Sequence, residues 1–197
     1  MASTYSNLKI ELIGTGDQSG TWGVTTNTNL GTAIEEAITG SADVAFSSAD
    51  VTLTLTNVNT AQTARNLRLN LTGTSGGARN LILGSGCQIE KFYLINNGLA
   101  DAVTVKNTTG SGVAVPAGTA MLVFNNGTDV VNPLTYYSGT LVSSSATISG
   151  GTINGTAIGG SSAAAGSFTT LAASGNTSLS GTLGVTGNTT LSNDLTV

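Results

Sequence analysis

The chain has 197 residues, with six Lys and Arg against ten Asp and Glu, no His and one Cys, and charged side chains make up only 8% of it, where an ordinary soluble domain carries about 25%. Without His there is no imidazole base and no His-ligated metal, and the single Cys87 supports neither an intrachain disulfide nor a Cys-rich zinc site. Six scattered basic residues at a pI near 4.4 argue against a nucleic-acid surface, so the composition points away from an enzyme and no cofactor or metal is expected.

Gly, Thr, Ser and Asn fill 99 of the 197 positions, and mean hydropathy is +0.21. No window holds the roughly 18 unbroken apolar residues of a membrane helix, so no membrane insertion is expected. The Thr, Val, Asn and Gly bias suits strands and tight turns. A chain this uncharged and β-prone is expected to pair its edges inside a closed or multi-chain assembly.

Residues 1–40 form the first part. Met1–Leu12 has neither a basic region nor an apolar stretch of signal-peptide length, which predicts a protein folded in the cytoplasm that makes it. Leu8, Ile10 and Leu12 alternate with Lys9 and Glu11 and predict a short strand. Gly14, Gly16, Gly20 and Gly23 fall within ten residues and predict an ordered loop. One short helix follows at about 28–39, its apolar stripe formed by Leu30, Ile34, Ala37 and Ile38 and its end marked by Gly40.

Residues 41–133 read as an antiparallel β-domain, a sandwich or barrel-like module. Val51, Leu53 and Leu55 alternate with threonines, and Leu67, Leu69 and Leu71 with polar residues. Further strands are predicted at 80–83, 91–95, 102–106, 112–115 and 120–124. Asn97-Gly98 and Asn126-Gly127 are favoured hairpin dipeptides, and Pro116-Ala117-Gly118 marks another reversal.

Residues 134–197 differ, because no charged side chain occurs from Val130 through Asn193. A 12-residue unit starts at Gly175 and again at Gly187, with Leu179 and Leu183 matched by Leu191 and Leu195; Ile148, Ile153 and Ile158 recur every five residues before it. One copy of such a segment buries too little apolar surface to offset about 1–2 kcal/mol of backbone entropy per residue. Three chains around one axis can, so these seven residues are the expected core of a homotrimeric β-rich shaft. The second unit stops short of a capping element, an expectation of further segments on another polypeptide or of processing.

Single residues allow two readings. Trp22 is either an anchor for a partner or a plug for the local core, and large aromatics are mostly buried. Asp17 beside Gly16 reads as a turn former, and Glu35 and Glu36, adjacent on a helix, as a solvated face rather than a glycosidase pair. Cys87 lacks a His to lower its pKa and reads as incidental.

Three stretches resemble the tail fibres of tailed bacteriophages. Leu8–Leu12, then Gly16-Asp17-Gln18-Ser19-Gly20-Thr21-Trp22-Gly23 and Asn27-Thr28-Asn29-Leu30, is similar to an N-terminal module of phage fibres. Ala64-Arg65-Asn66-Leu67 and Asn125–Val131 are similar to that module's strand pattern and closing hairpin, and Gly151–Gly155 with Ala164–Leu171 to low-charge shaft repeats. The resemblance implies a virion structural protein made in the host cytoplasm. Its N-terminal module would attach to a tail, neck or adaptor protein through Asp17, Thr21, Trp22 and Gly23. A trimeric shaft would then project toward the host surface for adsorption, with a glycan or receptor bound through a distal segment. No receptor-binding tip stands in this sequence. Two rivals are a bacterial surface adhesin or passenger, which shares the repeat composition, and a polysaccharide-degrading spike, which needs a carboxylate pair.

Overall fold

The computed structural model describes residues 1–139, 143, 150 and 170–190, and the chain divides into two units, Met1–Leu141 and Val142–Val197. In the first unit two short strands, β1 (Thr4–Tyr5) and β2 (Glu11–Leu12), pair antiparallel. Three helical runs, Trp22–Thr28, Asn29–Ile34 and Glu35–Ile38, follow without a break as one helix, α1, because the joining residues Asn29 and Glu35 keep helical dihedrals. Its middle run is π-helical, a wider and rarer turn than the α-helix that is frequent at functional sites.

Nine strands make the body: β3 (Ser41–Ser47), β4 (Val51–Leu53), β5 (Arg68–Thr74), β6 (Arg79–Leu83), β7 (Glu90–Asn97), β8 (Val103–Asn107), β9 (Val113–Val115), β10 (Ala120–Asn126) and β11 (Val130–Val131). They form two open sheets, ordered β11-β10-β7-β5-β3 and β4-β6-β8-β9. From β3 to β8 the chain alternates between sheets, so each pair of strands is one rung and neighbours within a sheet run parallel. A parallel pair needs a crossover; here the crossover is the strand of the opposite sheet. Ser41, Arg68 and Leu94 align in one sheet and Val51, Leu81 and Val105 in the other. Within these two sheets antiparallel pairing is confined to the last turns, β8 with β9, β7 with β10 and β10 with β11.

The core lies between the sheets. Inward residues stack in columns along the rungs: Ala42, Leu69, Ile95 and Met121 in one sheet, Leu81, Val105 and Val113 in the other. Leu69, Leu71, Leu81, Leu83 and Ile95 are wholly buried, each stabilising the fold by about 1.5–3 kcal/mol relative to an exposed position. Buried amides close the core. Asn107 and Asn125 donate to each other's Oδ1 at 3.0 and 2.9 Å, and Asn125 also donates to the Cys87 carbonyl at 2.9 Å. Gly86, at φ +74°, places its α-carbon where any Cβ would stand 2.1 Å from the Leu55 carbonyl oxygen, so the turn before Cys87 demands glycine.

The mainly β expectation holds, with one helix, but three details differ. The β-domain is not the antiparallel module expected for 41–133: three parallel rungs precede the antiparallel turns, and neither sheet closes into a barrel. Asn97-Gly98 makes no hairpin, since β7 passes there into the opposite sheet and Gly98 N donates to the Leu71 carbonyl at 3.1 Å. The strand expected at Leu8–Leu12 begins only at Glu11, because Lys9 takes φ 61° in a turn closed between Ser6 and Ile10. The Asn126-Gly127 hairpin forms as expected between β10 and β11.

In the second unit no helix or strand occurs among the described residues, and 170–190 are exposed throughout. Leu179 and Leu183 are 57% and 67% exposed in the single chain. Ile148, Ile153, Ile158, Leu191 and Leu195 lie outside the described residues.

Candidate functional site: the N-terminal arm and helix

The loop before α1 is organised by Gln18, which sequence reasoning assigned no role. Its φ of 55° turns its carbonyl to the helix end, where it accepts from Thr21 N and Trp22 N, both at 3.0 Å. Its side-chain amide donates to Glu11 and to Ser3 Oγ and accepts from Thr25 Oγ1. One side chain thus ties the terminus, β2 and the first helical turn. Asp17 forms the expected turn with Gly16, its N donating to the Gly14 carbonyl at 2.9 Å. It also accepts from Ser3 Oγ at 2.8 Å and Ser3 N at 2.9 Å. The Ser3 hydroxyl, with the Gln18 and Ser3 amides, holds the Asp17 carboxyl below its usual range.

The helix starts at Trp22 rather than near residue 28. Gly23, Val24, Thr25 and Thr26 are weak helix formers, and tertiary contacts override them. Asn29, expected at the helix N-terminus, lies inside α1, where it pairs with the backbone of β2: Oδ1 accepts from Glu11 N at 3.0 Å, and Nδ2 donates to the Glu11 carbonyl at 2.8 Å. The buried positions of α1 are Asn29 and Ala33. Of the apolar stripe, Leu30 and Ile38 are 56% and 63% exposed, while Ile34 and Ala37 are half-buried. Trp22 is 61% exposed and Val24 70%, so the reading of Trp22 as a core plug fails. Thr21 is exposed and Gly23 half-buried beside it. The helix therefore buries Asn29 and Ala33 against the protein and leaves Trp22, Val24, Leu30 and Ile38 largely in solvent.

Arg65 fixes this assembly to the β-domain. It is wholly buried, and its guanidinium donates to the carbonyls of Leu8 at 2.9 Å, Val58 at 2.8 Å and Thr60 at 3.0 Å, and to Glu36 Oε2 at 3.0 Å. Glu36 also accepts from Gln62 N at 3.1 Å, so it is a buried-pair partner and not part of a solvated face; Glu35 alone stays exposed. In the sequence Arg65 stands out only within the four-residue resemblance, because its hydrogen-bond partners Leu8 and Glu36 lie far from it along the chain. Two shallow openings of about 420 and 270 Å³ flank the helix end and share Glu36, Ser41 and Asn66.

Among the described residues no group of three His, Cys, Asp or Glu side chains could hold a metal. Four carboxylates are committed to loops: Asp17 to Ser3, Asp50 to Asn80, Asp101 to Ser75 and Gly77, and Asp129 to Ser111 and Gly112. Burial pushes the Cys87 thiol up to about 11, which keeps it protonated at neutral pH. Lys91 is the second buried cation: it donates to the Asn66 and Phe92 carbonyls at 3.2 and 3.1 Å and lies 4.2 Å from the Tyr93 ring centroid, and burial lowers its pKa to about 8. No protein-family model, curated protein or solved structure matches the chain.

Proposed function

We propose that the chain is a structural component of a tailed-bacteriophage virion, a fibre whose N-terminal module docks on another virion protein and whose C-terminal segment forms a homotrimeric shaft toward the host surface. The observation that carries this reading is the exposure of four large apolar side chains, Trp22, Val24, Leu30 and Ile38, on a helix pinned to the protein by Gln18, Asn29 and Glu36. Apolar surface on a pre-ordered helix marks a protein interface, and a Trp at its end is the residue type enriched in binding hot spots. Trp22 and Leu30 lie in the stretches that resemble the fibre attachment module.

The work of such a protein is mechanical. The loop-clasping carboxylates support a binding rather than a catalytic role, because each already serves its own backbone. The uncharged Thr, Ser and Asn surface of the shaft segment suits a rod that must tolerate changes of salt. Exposed Leu179 and Leu183 are the positions that neighbouring chains would cover.

Replacement of Trp22 by Ala in the phage gene tests the docking role. The folded module is expected to melt as the parent does, while the protein is lost from purified particles by more than tenfold. Full incorporation of the Trp22→Ala chain, or absence of the parent chain from virions, overturns the reading.

A further inference from the structure

The outer face of the five-stranded sheet changes character across its width. Toward β3 it is polar: Asn70 Nδ2 donates to Asp43 Oδ1 at 3.0 Å, and Asn96 Nδ2 lies 3.4 Å from Asn70 Oδ1. Toward β11 it is apolar. Phe92, Leu94, Leu122, Phe124 and Val131 all point outward, with Leu94 beside Leu122 and Phe124 between Phe92 and Val131. Phe92 and Leu94 are 47% and 36% exposed, and the Phe92 and Phe124 rings pack with centroids 4.8 Å apart. A solvated sheet face normally alternates to polar residues, so five contiguous apolar side chains mark a surface awaiting cover.

Two features name the cover as further copies of this chain. The first is continuity with the outgoing chain: Val131 leads directly into Leu134, Tyr136 and Tyr137, which are 65%, 84% and 69% exposed. At about 150–250 Å² per aromatic side chain, Phe92, Tyr136 and Tyr137 alone expose roughly 400 Å², half the about 800 Å² per partner of a standard interface. Chains that converge on a common shaft must leave their modules side by side, and the apolar face lies where they leave. The second is charge. Arg68 stands beside Leu94 at one margin and Glu90 on the far side of Phe92, and neither has an ion-pair partner among the described residues. Opposite charges at separate margins of one apolar face are self-complementary in a cyclic assembly.

We infer that the Phe92–Leu94–Leu122–Phe124–Val131 face is the surface on which copies of the module pack against one another, so that the trimer begins in the β-domain and not only in the shaft. This inference rests on the trimeric fibre reading and adds to it a defined interface, separate from the exposed apolar residues of α1.

The test uses the full chain, with native mass followed by light scattering over a concentration series, for the parent and for the double variant Phe92→Thr, Phe124→Thr. The parent is expected at three chains, and the variant to dissociate at a concentration at least tenfold higher. A second measurement guards against misfolding of the variant: Leu94→Cys is expected to cross-link between copies with a short bis-maleimide, whereas Thr72→Cys, outward on the polar side of the same sheet, is not; Cys87 is buried in both. A trimer whose dissociation the Phe substitutions leave unchanged and in which Leu94→Cys fails to cross-link overturns this interface and leaves the fibre reading standing. A parent chain that is monomeric at every concentration overturns both.

Discussion

The β-domain at 41–131 and the segment at 170–190 are both built on repetition, and they show it in opposite ways. The first repeats in space: aligned residues Ser41, Arg68 and Leu94 lie 27 and 26 positions apart, but Val51, Leu81 and Val105 lie 30 and 24 apart. Unequal corners spread the rungs out of any fixed period, so no self-similarity appears in the sequence. The second repeats visibly, with Gly175 and Gly187 opening matched units, yet no helix or strand forms among its described residues. The difference is apolar density. The β-domain brings two apolar faces of one chain together and buries seventeen residues in one cluster, whereas 170–190 has no second face to offer and leaves Leu171, Leu179, Leu183 and Val185 in solvent. The readable period here belongs to the segment that stays exposed, and the unreadable one to the segment whose two apolar faces bury each other.

The sharpest way to break the self-sufficient half is at Arg65. Arg65→Ala orphans the Leu8, Val58 and Thr60 carbonyls and leaves Glu36 without its cation, at a cost of about 3–5 kcal/mol. The expected result is a lowered urea midpoint, with amide exchange increased first in residues 1–12. Arg65→Lys is expected to recover little of it, since an ammonium cannot reach the same fork of acceptors.

Asn125→Ala comes next. It strands Asn107 and the Cys87 carbonyl inside the core and is expected to cost about 2–3 kcal/mol in chemical unfolding. Both variants leave the chemistry of 170–190 untouched, so exchange in that segment should not change in monomeric protein.

These two residues also show what the sequence made legible. Strands at 51–53, 80–83, 91–95 and 120–124 were readable, because alternation and turn dipeptides are local signals. The Asn126-Gly127 hairpin was readable for the same reason. Whether neighbouring strands run parallel was not, since that depends on which sheet the chain enters next, and Asn97-Gly98 looks the same at a hairpin and at a corner. β3 was missed although Ala42, Val44 and Phe46 alternate inward, because Asp43 between them and the serines at both ends (Ser41, Ser47, Ser48) resemble a linker. At the candidate site the apolar stripe of α1 was legible in part but its direction was not. Periodicity reports that Leu30 and Ile38 share a side, and only the bonds of Asn29 and Gln18 to the arm decide which side faces inward.

A smaller effect is expected from pH. Lys91 titrates near 8 when folded and near 10.5 when unfolded, so between these values the unfolded chain binds more protons and stability rises with pH. Cys87 opposes this above about 9, where the unfolded thiol ionises and the folded one, at about 11, does not. Thermal melts should therefore show a gain of about 1 kcal/mol from pH 7.5 to 9. Lys91→Met should abolish that slope, and a slope that survives it contradicts the assignment to Lys91.

The smallest effect on the module itself is expected from Leu179→Asn together with Leu183→Asn. The unfolding midpoint of the β-domain should stay within about 0.5 kcal/mol of the parent, as for exposed positions generally. The concentration at which the full chain dissociates should rise.

The most direct measurement is amide hydrogen exchange on the full chain at concentrations below and above its association midpoint, with native mass recorded alongside. Residues 41–131 are expected to be protected at every concentration, and 170–190 only where the mass reaches three chains. Protection of 170–190 in the monomer, or none in a trimer, would contradict the claim that one half of this chain folds on itself and the other only on its neighbours.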